Sequence, residues 1–196
     1  MQTGAFIDAL AQRFPELTSA EAEKLAESAR SKTLKRDEPL LQAGDLWRDA
    51  FWVERGALRL FYIDTEGAES NKNFHLDGAL IWPVARFLRD EPVSFFVTAL
   101  ESSTVHCLPY ASLVQTVGAM PSWNTLQLIA LGMLVEDKMR REQTFLQCTA
   151  RQRYEALLQT RPEWANRIPL RHLASYLGMT DVSLSRLRAE MGLITR

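Results

Sequence analysis

Between Ile168 and Gly192 the chain reads Ile-Pro-Leu-Arg-His-Leu-Ala-Ser-Tyr-Leu-Gly-Met-Thr-Asp-Val-Ser-Leu-Ser-Arg-Leu-Arg-Ala-Glu-Met-Gly. That spacing suits two short helices that share one small core. Leu170, Leu173 and Leu177 lie on one face of the first helix, and Ala174 is small enough to let a second helix cross closely. Gly178 follows at the place where a positive φ is usually required. Met179 fills the corner, Thr180 is a good N-cap, and Leu184, Leu187 and Met191 face inward at helical spacing. Leu170 to Met191 is therefore a helix-turn-helix.

The charges are unevenly divided. Residues 149–196 hold eight arginines against four acidic side chains, whereas residues 1–118 hold 12 basic and 17 acidic ones. A basic tail on an acidic partner domain suggests a nucleic-acid module, with double-stranded DNA as its partner. The N-terminal part of a recognition helix enters the major groove. The outward residues of the second helix are Asp181, Val182, Ser183, Ser185, Arg186 and Arg188. Arg186 can pair with guanine or phosphate, Ser183 and Ser185 can donate to phosphate or a base edge, and Val182 can meet a thymine methyl. Thr180, Arg188 and Arg171, at the start of the first helix, complete the DNA-contact set. Asp181 is expected to complement the helix N-terminus, and His172 to pack or lie on the surface.

From Lys32 to Leu108, short apolar runs alternate with turn signals: Ala43-Gly44-Asp45, Glu54-Arg55-Gly56, Asp64-Thr65-Glu66-Gly67 and Asp77-Gly78. The runs Phe51–Val53, Leu58–Ile63 and Phe95–Leu100 are rich in aromatic and β-branched residues. Many short strands at this spacing predict an antiparallel sandwich or barrel. Before them come a helix over 5–13 and a second, capped by Thr18 with Glu21 three residues on. After Pro121 a long helix runs from about Ser122 to Gln147. It is apolar on more than one stripe, with Leu128, Leu131 and Val135 on one of them. Such a helix needs two partners. One reading makes the second partner another copy of the chain, and the other buries the helix within one domain. Thr149 caps the next helix, with Gln152 in the capping-box position, and Pro162 stops it.

Both halves resemble the Crp/Fnr transcription regulators. The N-terminal resemblance lies in Leu41-Gln-Ala-Gly-Asp45, in Phe51-Trp-Val-Glu-Arg-Gly-Ala-Leu-Arg-Leu-Phe-Tyr62, and in Phe74-His-Leu-Asp-Gly78. It continues through Phe96 to His106, and the C-terminal part runs from Ile168 to Glu190. The resemblance implies an α+β fold: a double-stranded β-helix (jelly-roll-like) barrel, a long dimerisation helix, and an all-α helix-turn-helix; in a departure from the family, little or no wing is expected over Gly192–Arg196. The expected boundaries are 1–118 for the sensor barrel, 119–148 for the connecting helix and 149–196 for the DNA-binding part. It also implies a homodimer, with RNA polymerase as a further partner.

Departures from the family pattern shape the rest. Cyclic-nucleotide binders of the family hold the ribose with a Gly-Glu pair and the phosphate with an Arg-Ser/Thr-Ala run. Here the corresponding positions are Gly78-Ala79 and Val93-Ser94-Phe95, which lack both charges. A buried phosphate without a cation is heavily penalised, so no response to cAMP or cGMP is expected. Trp82, Arg86, Phe87, Phe95 and Phe96 are the candidate pocket for another small-molecule effector, although core filling explains the aromatics equally well. Arg86 and Arg89 are expected on the solvated surface. No cysteine precedes Cys107, which argues against an iron–sulfur sensor, and no spacing supports a metal, a haem or another cofactor. A metal-dependent barrel enzyme would need more convergent histidines than His75 and His106. A sensor or scaffold whose helix-turn-helix contacts protein is the other alternative. No apolar run is long enough to span a bilayer, and the N-terminus lacks a secretory pattern, so the cytoplasm is the expected compartment.

Overall fold

The computed structural model describes residues 3–193. Two helices come first, α1 (Thr3–Arg13) and α2 (Ser19–Ser28). Thr18 caps α2 reciprocally: its hydroxyl accepts from Glu21 N at 3.3 Å while Glu21 Oε2 accepts from Thr18 N at 2.9 Å. Such a cap is worth about 1 kcal/mol.

Eight strands follow: β1 (Arg30–Leu34), β2 (Pro39–Leu41), β3 (Asp49–Arg55), β4 (Ala57–Ile63), β5 (Glu69–Leu76), β6 (Leu80–Ile81), β7 (Phe96–Ala99) and β8 (Ser103–Pro109). They form two four-stranded sheets, ordered β1-β8-β3-β6 and β2-β7-β4-β5. The pairs β1–β8, β3–β8, β3–β6 and β2–β7 are antiparallel, as the turn spacing predicts, and the two sheets are those of the jelly roll that the resemblance implies. One short helix that the sequence reading leaves out, α3 (Phe87–Asp90), interrupts the strands, and another, α4 (Tyr110–Val117), follows them.

Alternation along β3 sorts its side chains between two faces. Ala50 and Trp52 belong to a core cluster with Phe6, Leu10 and Phe14 of the N-terminal region and Leu113 and Val117 of α4. Phe6 stacks on Trp52 at 5.1 Å and on His106 at 4.8 Å. Phe51, the intervening residue, stacks instead on Trp47 at 6.0 Å. Gly56 has φ +121 between β3 and β4, and a Cβ there would run into Ser103.

The long helix α5 (Pro121–Gln147) has the predicted extent. Then come α6 (Ala150–Thr160), α7 (Pro162–Arg167), α8 (Leu170–Tyr176) and α9 (Asp181–Glu190). Thr149 and Gln152 form the expected capping box on α6. Pro162 both ends α6 and opens α7, as suits a residue without an N–H. The described residues divide into two compact units. One holds the residues up to Arg59 together with His75–Leu134, and the other holds Leu60–Phe74 together with the residues from Val135 onward.

Candidate nucleic-acid interface

Within the second unit, α8 and α9 pack through Leu173, Ala174, Leu177 and Leu184, all buried. The turn between them closes in a defined way. Gly178 takes φ +67, its N–H donates to Ser175 O at 3.2 Å, and Met179 N donates to Ala174 O at 3.0 Å. This is the Schellman ending of a helix, for which the positive-φ residue is required. A Cβ on Gly178 would meet the ring of Phe145. Thr180 then caps α9, its hydroxyl accepting from Ser183 N at 3.1 Å.

The predicted contact residues are distributed unevenly on this frame. Val182, Ser183 and Arg186 are exposed on α9, as are Arg171 and Thr180 beside it. Arg186 has no ion-pair partner among the described residues. The Thr180 and Ser183 hydroxyls lie 2.8 Å apart, so each is partly occupied by the cap. Ser185 is half-buried. Arg188 is half-buried too, with its Nε enclosed and lacking a partner. Asp181 Oδ1 accepts from Val182 N at 2.9 Å, which places its charge at the α9 N-terminus.

Beneath this pair lies an arrangement that sequence reading missed. Arg141 of α5 donates through Nη1 to Lys72 O at 3.1 Å, and through Nη2 to Asn71 O at 3.2 Å and Tyr176 O at 3.3 Å. Its guanidinium lies 4.7 Å from the Tyr176 ring centre and 5.4 Å from that of Phe145. Burial pushes the Tyr176 phenol above its ordinary pKa, so the ring stays neutral. Phe74, Trp164 and Tyr176 pack edge-to-face, with Phe74–Trp164 at 5.1 Å and Trp164–Tyr176 at 5.2 Å. Ser175 Oγ accepts from Asn71 N at 3.0 Å and donates to Glu69 O at 3.1 Å. His172 is buried, in its packing role, and its Nε2 accepts from Arg171 Nε at 3.2 Å. Its Nδ1 lies 3.5 Å from Asn71 Nδ2. Strand β5 is thus fastened to the first helix of the helix-turn-helix.

Residues 31–118 match the family Cyclic nucleotide-binding domain. The Fumarate and nitrate reduction regulatory protein of Yersinia pestis is 31% identical over 93 residues, 47% of this chain but only 36% of that protein's length. Electron transport regulator A of Shewanella oneidensis is 24% identical over 172 residues, 81% of this chain and 67% of that one. The structure of FixK2 from Bradyrhizobium japonicum superposes with a TM-score of 0.71 at 19% identity, over 84% of this chain and 85% of that one. A putative Crp/Fnr-family regulator from Eubacterium rectale gives a TM-score of 0.68 at 14% identity, over 93% and 88%. This chain is similar in sequence to regulators of the Crp/Fnr type and shares their fold.

The five candidate effector residues differ in their surroundings. Trp82 is buried against Trp123 at 5.8 Å, and Phe95 is buried edge-on to Trp47 at 5.8 Å. Phe87 and Arg86 are exposed, Arg86 paired with Asp90 at 3.1 Å, and Phe96 is half-buried. Trp82, just past β6, and Phe95, just before β7, are buried by these aromatic contacts. Arg89 departs from its expected solvated position: it is half-buried and donates to Pro83 O at 3.0 Å. A cavity of about 940 Å³ exists elsewhere in the first unit, and none of the five expected residues lines it.

Replacing Arg141 with Ala should destabilise the second unit by about 2–4 kcal/mol, since charge-assisted hydrogen bonds and two ring contacts are lost together. Arg141→Lys should rescue little, because one ammonium cannot reach three carbonyls in a plane. Urea unfolding followed by amide exchange at Lys72 checks this, and wild-type protection in the alanine variant would contradict it.

Proposed function

We propose that the chain is a DNA-binding transcription regulator that acts as a homodimer in the cytoplasm and does not respond to cAMP or cGMP. The observation that carries the reading is the exposed face of α9, with Val182 and Arg186 unencumbered beside a helix-turn-helix that buries Leu173, Ala174, Leu177 and Leu184. Arg186 reads a base edge or clamps a phosphate, Arg171 takes a phosphate, and Val182 meets a thymine methyl. Thr180 and Ser183 set the start of the helix and lend what hydrogen-bonding capacity the cap leaves. Ser185 and Arg188, both less exposed, act at the margin. Residues 1–118 serve as a sensor barrel, 119–148 as the connecting helix and 149–196 as the DNA-binding part. RNA polymerase is the downstream partner. The named relatives are regulators, which supports the reading.

The dimer reading rests on α5. Of its 27 residues only Trp123 is buried. Leu128 is 71% exposed, Leu131 40% and Val135 53%, at helical spacing. Exposed apolar rows of this kind mark interaction surfaces, and a self-complementary row on a long helix suits a second copy. The nucleotide reading rests on the absence of a carboxylate at Gly78-Ala79 and of a cation at Val93-Ser94-Phe95. The phosphate would lose water there without gaining a counter-charge.

Fluorescence anisotropy on a duplex selected from genomic fragments should show affinity falling steeply with salt. Arg186→Ala should cost about 1–3 kcal/mol if the side chain reads a base, and unchanged affinity would remove it from the interface. Leu128→Glu should give monomers in sedimentation equilibrium, whereas a persisting dimer places the seam elsewhere. Calorimetric titration with cAMP should give no saturable heat, and a saturable isotherm would overturn the nucleotide reading.

A further inference from the structure

The cavity of about 940 Å³ in the first unit has no role so far, and neither Gly78-Ala79 nor Val93-Ser94-Phe95 lines it. It is bordered by β1, β2, the approach to β3 and the end of β8. Its volume is that of a site for a whole small molecule. The wall is apolar: Leu41, Trp47 and Phe51 line it, and Trp47 is held rigid by its parallel stack on Phe51 and its edge contact with Phe95. Cys107 adds a neutral surface, because burial, reinforced by Asp49, pushes its thiol up to about 11.

The charges around this wall are one-sided. Arg30, Lys32, Arg48 and Arg89 line the cavity against the single carboxylate of Asp49. Asp49 is taken by Arg30 at 2.9 Å, and Lys32 has Glu38 at 4.0 Å. Arg48 is exposed and without an ion-pair partner among the described residues. Arg89 is oriented by the carbonyls of Pro83 and Val84 and by the Tyr110 ring at 5.6 Å, all neutral groups that leave its charge unspent. A rigid apolar wall with two uncompensated guanidinium groups beside it matches a ligand with the opposite pattern.

We propose that this cavity binds a small organic acid with an aryl or acyl body, the body resting on Leu41, Trp47 and Phe51 and the acid group meeting Arg48 and Arg89. The site stands independently of DNA binding, and no DNA enters its test.

The probe pair is 8-anilinonaphthalene-1-sulfonate and its neutral analogue N-phenyl-1-naphthylamine, titrated into the full folded chain. The sulfonate should saturate a single site and bind about tenfold more tightly than the neutral compound, since charge complementarity adds to the shared aryl contact. Arg48→Ala should weaken the sulfonate about fivefold or more, with little effect on the neutral analogue. Leu46 lines the same cavity and is 39% exposed, so Leu46→Glu places a carboxylate at the site without disturbing the core. It should reduce sulfonate binding at least as much, with an unchanged circular dichroism spectrum. Equal affinity for the two compounds, or binding indifferent to both variants, would overturn the proposal. So would loss of binding in Leu128→Glu instead, which would put the probe on the α5 stripe.

Discussion

The second unit depends on one guanidinium. Arg141 joins three segments that lie far apart in the chain: its own helix, the β4–β5 hairpin through the carbonyls of Asn71 and Lys72, and α8 through the carbonyl of Tyr176. No carboxylate takes part in these contacts. A planar fork of fixed donors can serve several backbone acceptors at once, and its face can rest on an aromatic ring at the same time. The Tyr176 ring supplies that face at 4.7 Å. Because the hairpin carbonyls would otherwise be left without partners in a half-buried setting, the clamp and the aromatic group of Phe74, Trp164 and Tyr176 need each other. With α8 fixed in this way, the Gly178 turn and the Thr180 cap set where α9 begins, and so which side chains it presents.

A second constraint is one the chain leaves open. A helix of 27 residues with a single buried side chain has not satisfied its own apolar face. Folding alone offers no reason to leave Leu128, Leu131 and Val135 exposed, since full burial of such a side chain is worth about 1.5–3 kcal/mol and each forgoes part of it. Association of two copies along this helix would recover part of that loss. It would also set two copies of α9 on one assembly, the arrangement that a two-fold DNA site requires.

What could be read from the residues alone follows from how local each feature is. The caps Thr18/Glu21 and Thr149/Gln152 were legible because both partners lie within one turn. The helix-turn-helix was legible for the same reason: Gly178, Ala174 and the leucines fix it within about two dozen residues. An antiparallel sandwich or barrel was legible from turn spacing, but the facing of its side chains was not. For Trp82 and Phe95 the sequence leaves pocket and core equally open, and the structure buries both against other aromatic rings. Arg141 was silent because its acceptors are 69 and 70 positions away, and they are backbone atoms that any residue supplies. The cavity was silent too, assembled from segments between Arg30 and Ala111. The reduced wing expected over Gly192–Arg196 falls largely on residues 194–196, outside the described residues.

The central claim is that a dimer presents two copies of α9 to DNA. Hydroxyl-radical footprinting on a selected duplex tests it most directly. The account predicts two protected patches centred about 10 base pairs apart, or a multiple of that spacing, on the same face of the duplex. A single patch, or uniform weak protection along the duplex, would contradict it.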